Sequence, residues 1–232
     1  MFKRRRLGST GLIILLLSAC GGGGGGGGGP APANLQSAPV ASALNSYYQA
    51  NHGFDLSASS GGNNYTLQYG FALNSGTTMF NGVNANSVNV SVTVSENGAV
   101  VGTEIETGYF TLNPLALLGI VNSTGSPYAI VTTWNTPPAT LSVGQSGPFY
   151  SYTIYHDGTE AYVDGTATVT YSVNAVNSTT LQYCTNASVS ANANSDGVVS
   201  GTSALCYYIN GSGNVTGITE TISVGGTTLT FQ

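Results

Sequence analysis

The densest group of ionisable side chains in the sequence lies between positions 156 and 164. It contains His156, Asp157, Glu160 and Asp164. Carboxylate and carbonyl oxygens are the ligands that Ca²⁺ prefers, so one interpretation is a calcium site. The Asp-x-Asp-x-Asp-Gly spacing of calcium loops is absent, however. The spacing instead favours a hairpin that turns at Asp157-Gly158 and presents its acids to solvent, and we predict no metal site and no cofactor.

Residues for nucleophilic or acid–base catalysis are present, but they form no recognisable motif. A serine hydrolase needs a nucleophile, a base and a group that orients the base. The chain has two histidines, His52 and His156, and Gly144 to Gly147 (GQSG) misses the Gly-x-Ser-x-Gly pattern by one residue. Glu104 and Glu106 share a strand face and form either a carboxylate pair or an exposed edge that discourages aggregation. We predict that the protein is not an enzyme, with a hydrolase as the weaker alternative.

Aromatic side chains are the strongest indication of binding, since the chain has 14 Tyr and one Trp. Tyr150 and Tyr152 lie on one side of a predicted strand, Tyr155 follows, and Trp134 ends an earlier strand. Rows of Tyr on a sheet can stack on sugar rings or fill a protein interface. Tyr is also an ordinary strand former, and we favour that role for most of the 14. These four residues are the candidate ligand-facing aromatics.

Two of the three cysteines have the spacing of a disulfide hairpin. Cys184 and Cys206 are symmetric about Ser195, and 194–197 (NSDG) is a turn signal. In an antiparallel hairpin with that centre the two cysteines lie opposite each other. An exported chain meets an oxidising compartment, so we predict a disulfide. A metal site would lack further ligands, and a redox-active pair would more naturally be Cys-x-x-Cys.

The distribution of charge excludes several functions. All four Lys and Arg residues lie at positions 3 to 6. The rest of the chain therefore contains nine acidic residues and no Lys or Arg, and its formal charge is about −9. Nucleic-acid binding depends on cations that neutralise phosphates and is therefore excluded. A phosphate loop with a Walker Lys and docking on anionic lipid through a basic patch are excluded for the same reason.

The N-terminus has the layout of a secretory signal peptide. The basic residues at 3–6 precede the short apolar run Gly11 to Leu17, and Ser18-Ala19 supplies small residues before Cys20. The apolar run is too short to span a bilayer, which needs about 20 residues.

Leu17-Ser18-Ala19-Cys20 resembles the lipobox of bacterial lipoproteins. The resemblance implies that Cys20 carries a diacylglyceryl group and that the chain is cut before it. The new amine is then usually acylated, for example with palmitate. Two or three acyl chains anchor a protein stably, whereas one does so only marginally. Residue 21 is Gly rather than Asp, so the family's inner-membrane retention signal is absent. The resemblance thus implies an outer-membrane anchor in a Gram-negative cell, on its periplasmic or surface face.

We divide the chain into four parts. Residues 1–19 are the signal peptide, and 20–38 are the lipidated Cys and a flexible Gly/Pro/Ala linker with an end-to-end distance of roughly 20–25 Å. Residues 39–136 form a helix and a first β module, and 137–232 form a second β module with the disulfide hairpin. Pro137-Pro138 marks the boundary, although a single β domain remains the alternative.

The predicted fold is all-β: an antiparallel, β-sandwich-like architecture with one short N-terminal helix and under about a tenth of the residues helical. Helical spacing is confined to Pro39–Asn51, and from Phe54 onward apolar residues alternate with period two. Asn113–Gly125 is predicted to be a connection with an apolar helical turn. The predicted strands are 54–59, 64–73, 87–96, 99–112, 128–134, 148–156, 160–174, 180–189, 199–209, 214–224 and 227–231.

The second half also resembles a group of β-rich lipoproteins of Gram-negative bacteria with no assigned activity. The shared features are Asp164-Gly165-Thr166, the Cys184 and Cys206 pair with Cys206-Tyr207, and the Gly225 to Phe231 ending (GGTTLTF). This resemblance implies a fold and no mechanism. The sequence therefore predicts a lipid-anchored envelope protein with a structural or protein-interaction role, with a glycan- or ligand-binding module as the alternative.

Overall fold

The computed structural model describes residues 34–195 and 197–232. The predicted signal peptide, the lipobox with Cys20 and most of the linker lie outside these residues. Strands make up 66% of the structure and helix 4%, which confirms the all-β prediction with one short helix. No helix in the described part of the chain is long and apolar enough to cross a membrane.

The described residues form one helix and fifteen strands. In chain order these are β1 (Ser37–Ala38), α1 (Val40–Tyr47), β2 (His52–Ser60), β3 (Asn63–Leu73), β4 (Thr78–Phe80), β5 (Val83–Glu96), β6 (Ala99–Leu112), β7 (Leu115–Asn122), β8 (Tyr128–Trp134), β9 (Leu141–Ser142), β10 (Ser146–Tyr155), β11 (Val163–Ala175), β12 (Thr180–Ala191), β13 (Gly201–Asn210), β14 (Val215–Val224) and β15 (Thr227–Phe231).

Twelve strands form a single antiparallel path that follows chain order and omits only β1, β4 and β9. The order is β2-β3-β5-β6-β7-β8-β10-β11-β12-β13-β14-β15, and β4 pairs with β5 beside this path. The first and last strands meet, because Ser57 of β2 and Gln232 exchange two backbone hydrogen bonds of 3.1 Å. The sheet is therefore nearly closed, with an inside and an outside.

The proposed boundary at residue 137 does not separate two sheets. β8 and β10, on either side of it, pair from Tyr128↔Tyr155 to Trp134↔Tyr150. The larger apolar cluster inside the sheet also draws on both halves, with Leu67 and Val90 from the first and Leu181 and Leu205 from the second. The two predicted modules are thus parts of one sheet with a shared interior.

Alternation of residue type explains which face of each strand is buried. In β5, Val88, Val90 and Val92 are buried, and the polar residues between them lie on the outer face. The turn after β5 is Asn97-Gly98, with φ values of +50° and +82°. Positive φ at both central residues is the geometry of a type I′ turn, which matches the twist of the flanking strands.

The helix closes one end of the sheet. Val40, Ala43, Leu44 and Tyr47 are buried and pack into the larger cluster. The helix ends at Tyr47 rather than Asn51 as predicted, because the chain enters β2 at once: His52 pairs with Phe71 of β3. The imidazole Nε2 of His52 is 2.9 Å from the carbonyl oxygen of Tyr47, which links the end of the helix to the start of the strand.

The apolar segment after Asn113 is a strand, β7, and not the predicted connection. Its outer face is covered by the β4–β5 hairpin, which turns at Asn81-Gly82. Phe80 of this hairpin is buried against Gly119 and stacks on Tyr109 with ring centroids 4.4 Å apart. Because both faces of β7 are covered, its sequence lacks the alternation that identifies the other strands.

Candidate functional site

The candidate ligand-facing aromatics do not form an exposed row. Tyr150 and Tyr152 are 3% and 2% exposed and belong to the smaller apolar cluster inside the sheet. Trp134 is half-buried and stacks on Tyr150 at 5.5 Å, while Tyr155 is half-buried at the end of β10. The pattern correctly placed Tyr150 and Tyr152 on one face of the strand, but that face is the inner one. Tyr150 and Tyr152 are therefore not available to a ligand outside the sheet, which corrects the prediction for these two of the four candidates.

The ionisable group at 156–164 forms a turn. Asp157 accepts hydrogen bonds from the backbone N–H of Thr159 at 2.9 Å and from its hydroxyl at 2.6 Å. These bonds lower the pKa of the Asp157 carboxyl. His156 lies 3.3 Å from Asp164 across the hairpin, Nδ1 to Oδ2. The described residues contain no group of three His, Cys, Asp or Glu side chains that could hold a metal ion.

The outer face of β11–β14 carries a shallow groove of about 270 Å³. Its lining is uncharged, since it consists of hydroxyl, amide and methyl groups. The residues that line it are Thr168, Thr170, Asn186, Ala187, Ser188, Thr202, Ser203, Ala204, Thr221 and Ser223. Neighbouring strands are about 4.8 Å apart, so the outward hydroxyls form a regular array of hydrogen-bonding groups.

The groove has one polar atom that is not satisfied within the described structure. The side-chain amide of Asn186 donates to the backbone oxygen of Thr170 at 3.3 Å and to the hydroxyl of Ser172 at 3.4 Å. Its Oδ1 atom is buried without a hydrogen-bond partner. The arrangement can exchange neutral hydrogen bonds with a ligand but offers no charge for ionic recognition.

The disulfide lies on the same outer face, beside the groove. Cys184 and Cys206 are register partners in β12 and β13, with Cα atoms 4.0 Å apart, and are joined by a disulfide bond. The prediction of a bridged pair across neighbouring strands is confirmed. Together with Ala204 the two cysteines form a small buried cluster separate from the interior. The bridge thus fixes the two central strands of the groove to each other.

Two carboxyl groups lie inside the sheet. Glu106 of β6 and Glu220 of β14 are 3% and 1% exposed, and the Oε2 atom of each is buried without a hydrogen-bond partner. Burial raises the pKa of Glu220 to about 8. Burial, and then the nearby Glu104 and Glu220, hold the pKa of Glu106 well above its usual range. Glu104 and Glu106 share a face, as predicted. Because Glu106 is buried, however, the interpretation of the pair as an exposed, aggregation-resistant edge is wrong for this residue.

Sequence reasoning missed the groove and the buried carboxyls for different reasons. The groove is lined mainly by Ser, Thr and Asn, which are also common elsewhere on the outside, so no residue type distinguishes it. The burial of Glu220 has a local signal: it lies in alternation with the apolar Ile218 and Ile222. Comparisons of the chain with family profiles, curated proteins and solved structures give no match.

Proposed function

We propose that this protein is a lipid-anchored component of the cell envelope with a structural or protein-interaction role. The observation that carries the proposal is the order of segments: a basic and apolar leader, Leu17-Ser18-Ala19-Cys20, a run of nine glycines from Gly21 to Gly29, and then a single nearly closed sheet. Acyl chains on Cys20 hold the protein at the membrane, and the glycine tether lets the sheet domain rotate above it.

The surface of the domain supports a display role. Between residues 34 and 232 the chain has no Lys or Arg, and much of its outer face consists of Ser, Thr and Asn. His52 forms its hydrogen bond with the carbonyl oxygen of Tyr47, and His156 forms its hydrogen bond with the carboxylate of Asp164. Neither of these bonds is to a Ser hydroxyl, as a serine hydrolase would need. This arrangement favours an interaction role over a hydrolase.

Replacement of the lipidation site tests the anchor. We expect Cys20→Ser to leave a secreted, unlipidated protein that fractionates with the soluble envelope contents, because the acyl chains attach through the Cys20 sulfur. Ser18→Ala is the matched control, since a small residue is kept at that position of the lipobox. Fractionation after a high-salt wash and mass spectrometry of the N-terminal peptide are the measurements. Retention of Cys20→Ser in washed membranes would contradict the proposal.

A second candidate function, glycan binding, is favoured by the groove on β11–β14. Its hydroxyl and amide groups match the donors and acceptors of a neutral polysaccharide. This site replaces the Tyr-rich face as the proposed ligand surface, because the groove lies outside whereas Tyr150 and Tyr152 lie inside.

Removal of hydroxyls from the groove tests this second candidate. Thr168→Val with Thr170→Val keeps the side-chain shape and removes two hydrogen-bonding groups. Each bond contributes about 0.5–1.5 kcal/mol, so affinity for any glycan captured on an array should fall by roughly tenfold. Thr66→Val is the control, because Thr66 is an exposed threonine of β3 away from the groove. Equal glycan affinity of the two variants would show that the groove is not the binding site. If the parent protein binds no glycan on the array, glycan binding is rejected as a function.

A further inference from the structure

The point where the sheet closes on itself is a minimal strand contact. β2 and β15 meet through two backbone hydrogen bonds, both between Ser57 and Gln232. By contrast, β2 and β3 pair over nine register positions, from His52↔Phe71 to Ser60↔Asn63. β15 itself is only five residues long. We call the Ser57–Gln232 contact the seam.

Glu220 lies immediately behind the seam. In the ladders it stands opposite Leu205 of β13 on one side and Phe231 of β15 on the other. All three side chains are almost completely buried, and both apolar neighbours belong to the larger interior cluster. Phe231 directly precedes Gln232, so the ring that anchors β15 lies beside the carboxyl group of Glu220.

Within residues 34–195 and 197–232 this carboxyl group has no Lys or Arg neighbour. The chain has no Lys or Arg after position 6, and Oε2 of Glu220 is buried without a hydrogen-bond partner in the described structure. The titratable groups that face Glu220 are Tyr69 from β3 and Glu106 from β6. Glu106 is faced in turn by Glu104 and by Tyr152 of β10. A negative charge on Glu220 would thus meet only neutral or acidic groups.

We propose that the seam is a proton-sensitive closure: protonated Glu220 keeps β15 paired with β2, and loss of that proton favours opening of the seam. A buried carboxylate without a counter-charge or a hydrogen-bond partner is strongly unfavourable. Separation of β15 from β2 would give water access to Glu220, and it breaks only the two backbone hydrogen bonds of the seam together with the packing of Phe231. Strands β10–β13 keep their long ladders and stay closed.

The direction of the pH effect follows from proton linkage. Burial raises the pKa of Glu220 from its ordinary value of 4.5 to about 8, and opening returns it toward 4.5. The closed form therefore binds the proton more tightly. Closure is strongest below about pH 4.5, weakens by about tenfold per pH unit as the pH rises toward 8, and levels off above that.

Hydrogen–deuterium exchange of the full chain tests the proposal. Protection would be measured at pH 5, 6.5 and 8, after correction for intrinsic exchange rates. In peptides that cover Ser57 and Gln232 we expect protection to fall by about tenfold per pH unit. Peptides from β12 should stay more protected than the seam throughout. Seam protection that is independent of pH would overturn the proposal.

Charge-neutral variants assign the effect to Glu220. Glu220→Gln keeps the shape of the side chain and removes the ionisation, so seam protection should no longer fall with pH. Asp55→Asn is the control, because Asp55 is an exposed acid on β2, and its variant should keep the pH dependence of the parent chain. A Glu220→Gln protein that still loses tenfold protection per pH unit would overturn the proposal.

Carboxyl titration gives a readout that does not depend on a variant. The chain has five Glu residues. The ¹³C carboxyl resonance of at least one should titrate near pH 8. Titration of all five below about pH 6 would also overturn the proposal.

Discussion

Gly119 shows how a single residue determines the outer packing of the sheet. A Cβ atom at this position would lie 2.5 Å from the backbone oxygen of Ala129 and would overlap the ring of Phe80. Phe80 in turn stacks on Tyr109 and Tyr128, with ring centroids 4.4 and 5.6 Å apart. The β4–β5 hairpin can therefore lie flat on β7 only because residue 119 has no side chain.

We predict that Gly119→Ala destabilises the protein by roughly 1–3 kcal/mol, the usual cost of overpacking. The added methyl group forces the Phe80 ring or the β7–β8 ladder to shift. Gly102→Ala is the matched control, because Gly102 lies in the neighbouring strand β6 and a Cβ there meets no atom within 4 Å. Urea unfolding measures both variants. Equal urea midpoints for Gly119→Ala and Gly102→Ala would show that the Phe80 ring moves aside without loss of stability.

At the scale of strands and turns, alternation and turn chemistry predict most of the sheet. The Asn97-Gly98 and Gly225-Gly226 pairs connect β5 to β6 and β14 to β15, as the sequence indicates, and each has two positive φ values. Alternation with a period of two residues cannot show which face is inside, however, when both faces carry residues of intermediate polarity. Tyr is such a residue, which is why the inner position of Tyr150 and Tyr152 could not be predicted.

Single-strand patterns also miss contacts between distant segments. The outer face of β7 is covered by the β4–β5 hairpin, which comes much earlier in the chain. The sequence of β7 therefore lacks alternation, and this is why the segment is predicted to be a connection rather than a strand. The groove is lined by residues of four strands, β11 to β14, so no single strand pattern indicates it. The disulfide, by contrast, was predictable because Cys184 and Cys206 belong to one hairpin, where symmetry about the turn determines the partner.

The disulfide should stabilise the β12–β13 hairpin without determining the fold. The two cysteines are 22 residues apart, and the chain-entropy model gives about 3 kcal/mol for closing such a loop. We predict that Cys184→Ala with Cys206→Ala lowers the free energy of unfolding by roughly 2–4 kcal/mol. The far-ultraviolet circular dichroism should be unchanged, because β12 and β13 still pair from Thr180↔Asn210 to Val189↔Gly201. An unfolded double variant would contradict this prediction, and so would one of unchanged stability.

The whole molecule is stabilised with very few ionic contacts. Among the described residues one ion pair is formed, between His156 and Asp164, and it depends on protonation of the histidine. Neutral hydroxyl pairs connect neighbouring strands on the outside, such as Ser223 with Thr228 at 2.8 Å and Thr221 with Thr230 at 3.0 Å. The interior carboxyls of Glu106 and Glu220 are therefore the ionisable groups whose state differs most between the folded and unfolded chain.

This difference predicts an unusual dependence of global stability on pH. Both carboxyls have a folded pKa above their ordinary value of 4.5, near 8 for Glu220, because burial disfavours the charged form. At these two groups the folded state therefore binds more protons than the unfolded state, so their contribution to stability is fully present below about pH 4.5 and is lost as the pH rises. As the pH rises toward 8, ionisation of Glu220 lowers the free energy of unfolding by roughly 1.4 kcal/mol per pH unit, and ionisation of Glu106 lowers it in the same direction. Most paired acids have the opposite effect, since their folded pKa is lowered.

Urea unfolding of the intact chain at pH 5, 6.5 and 8 measures this dependence. We expect the midpoint to decrease at each step, and the decrease to be much smaller in Glu106→Gln with Glu220→Gln, because neither side chain then ionises. Asp55→Asn with Glu96→Gln removes the same number of charges from less buried positions on β2 and β5 and should keep the parent slope. A parent protein whose stability rises from pH 5 to 8 would show that the interior carboxyls are ionised at little cost, and that water or a bound cation reaches them inside the closed sheet.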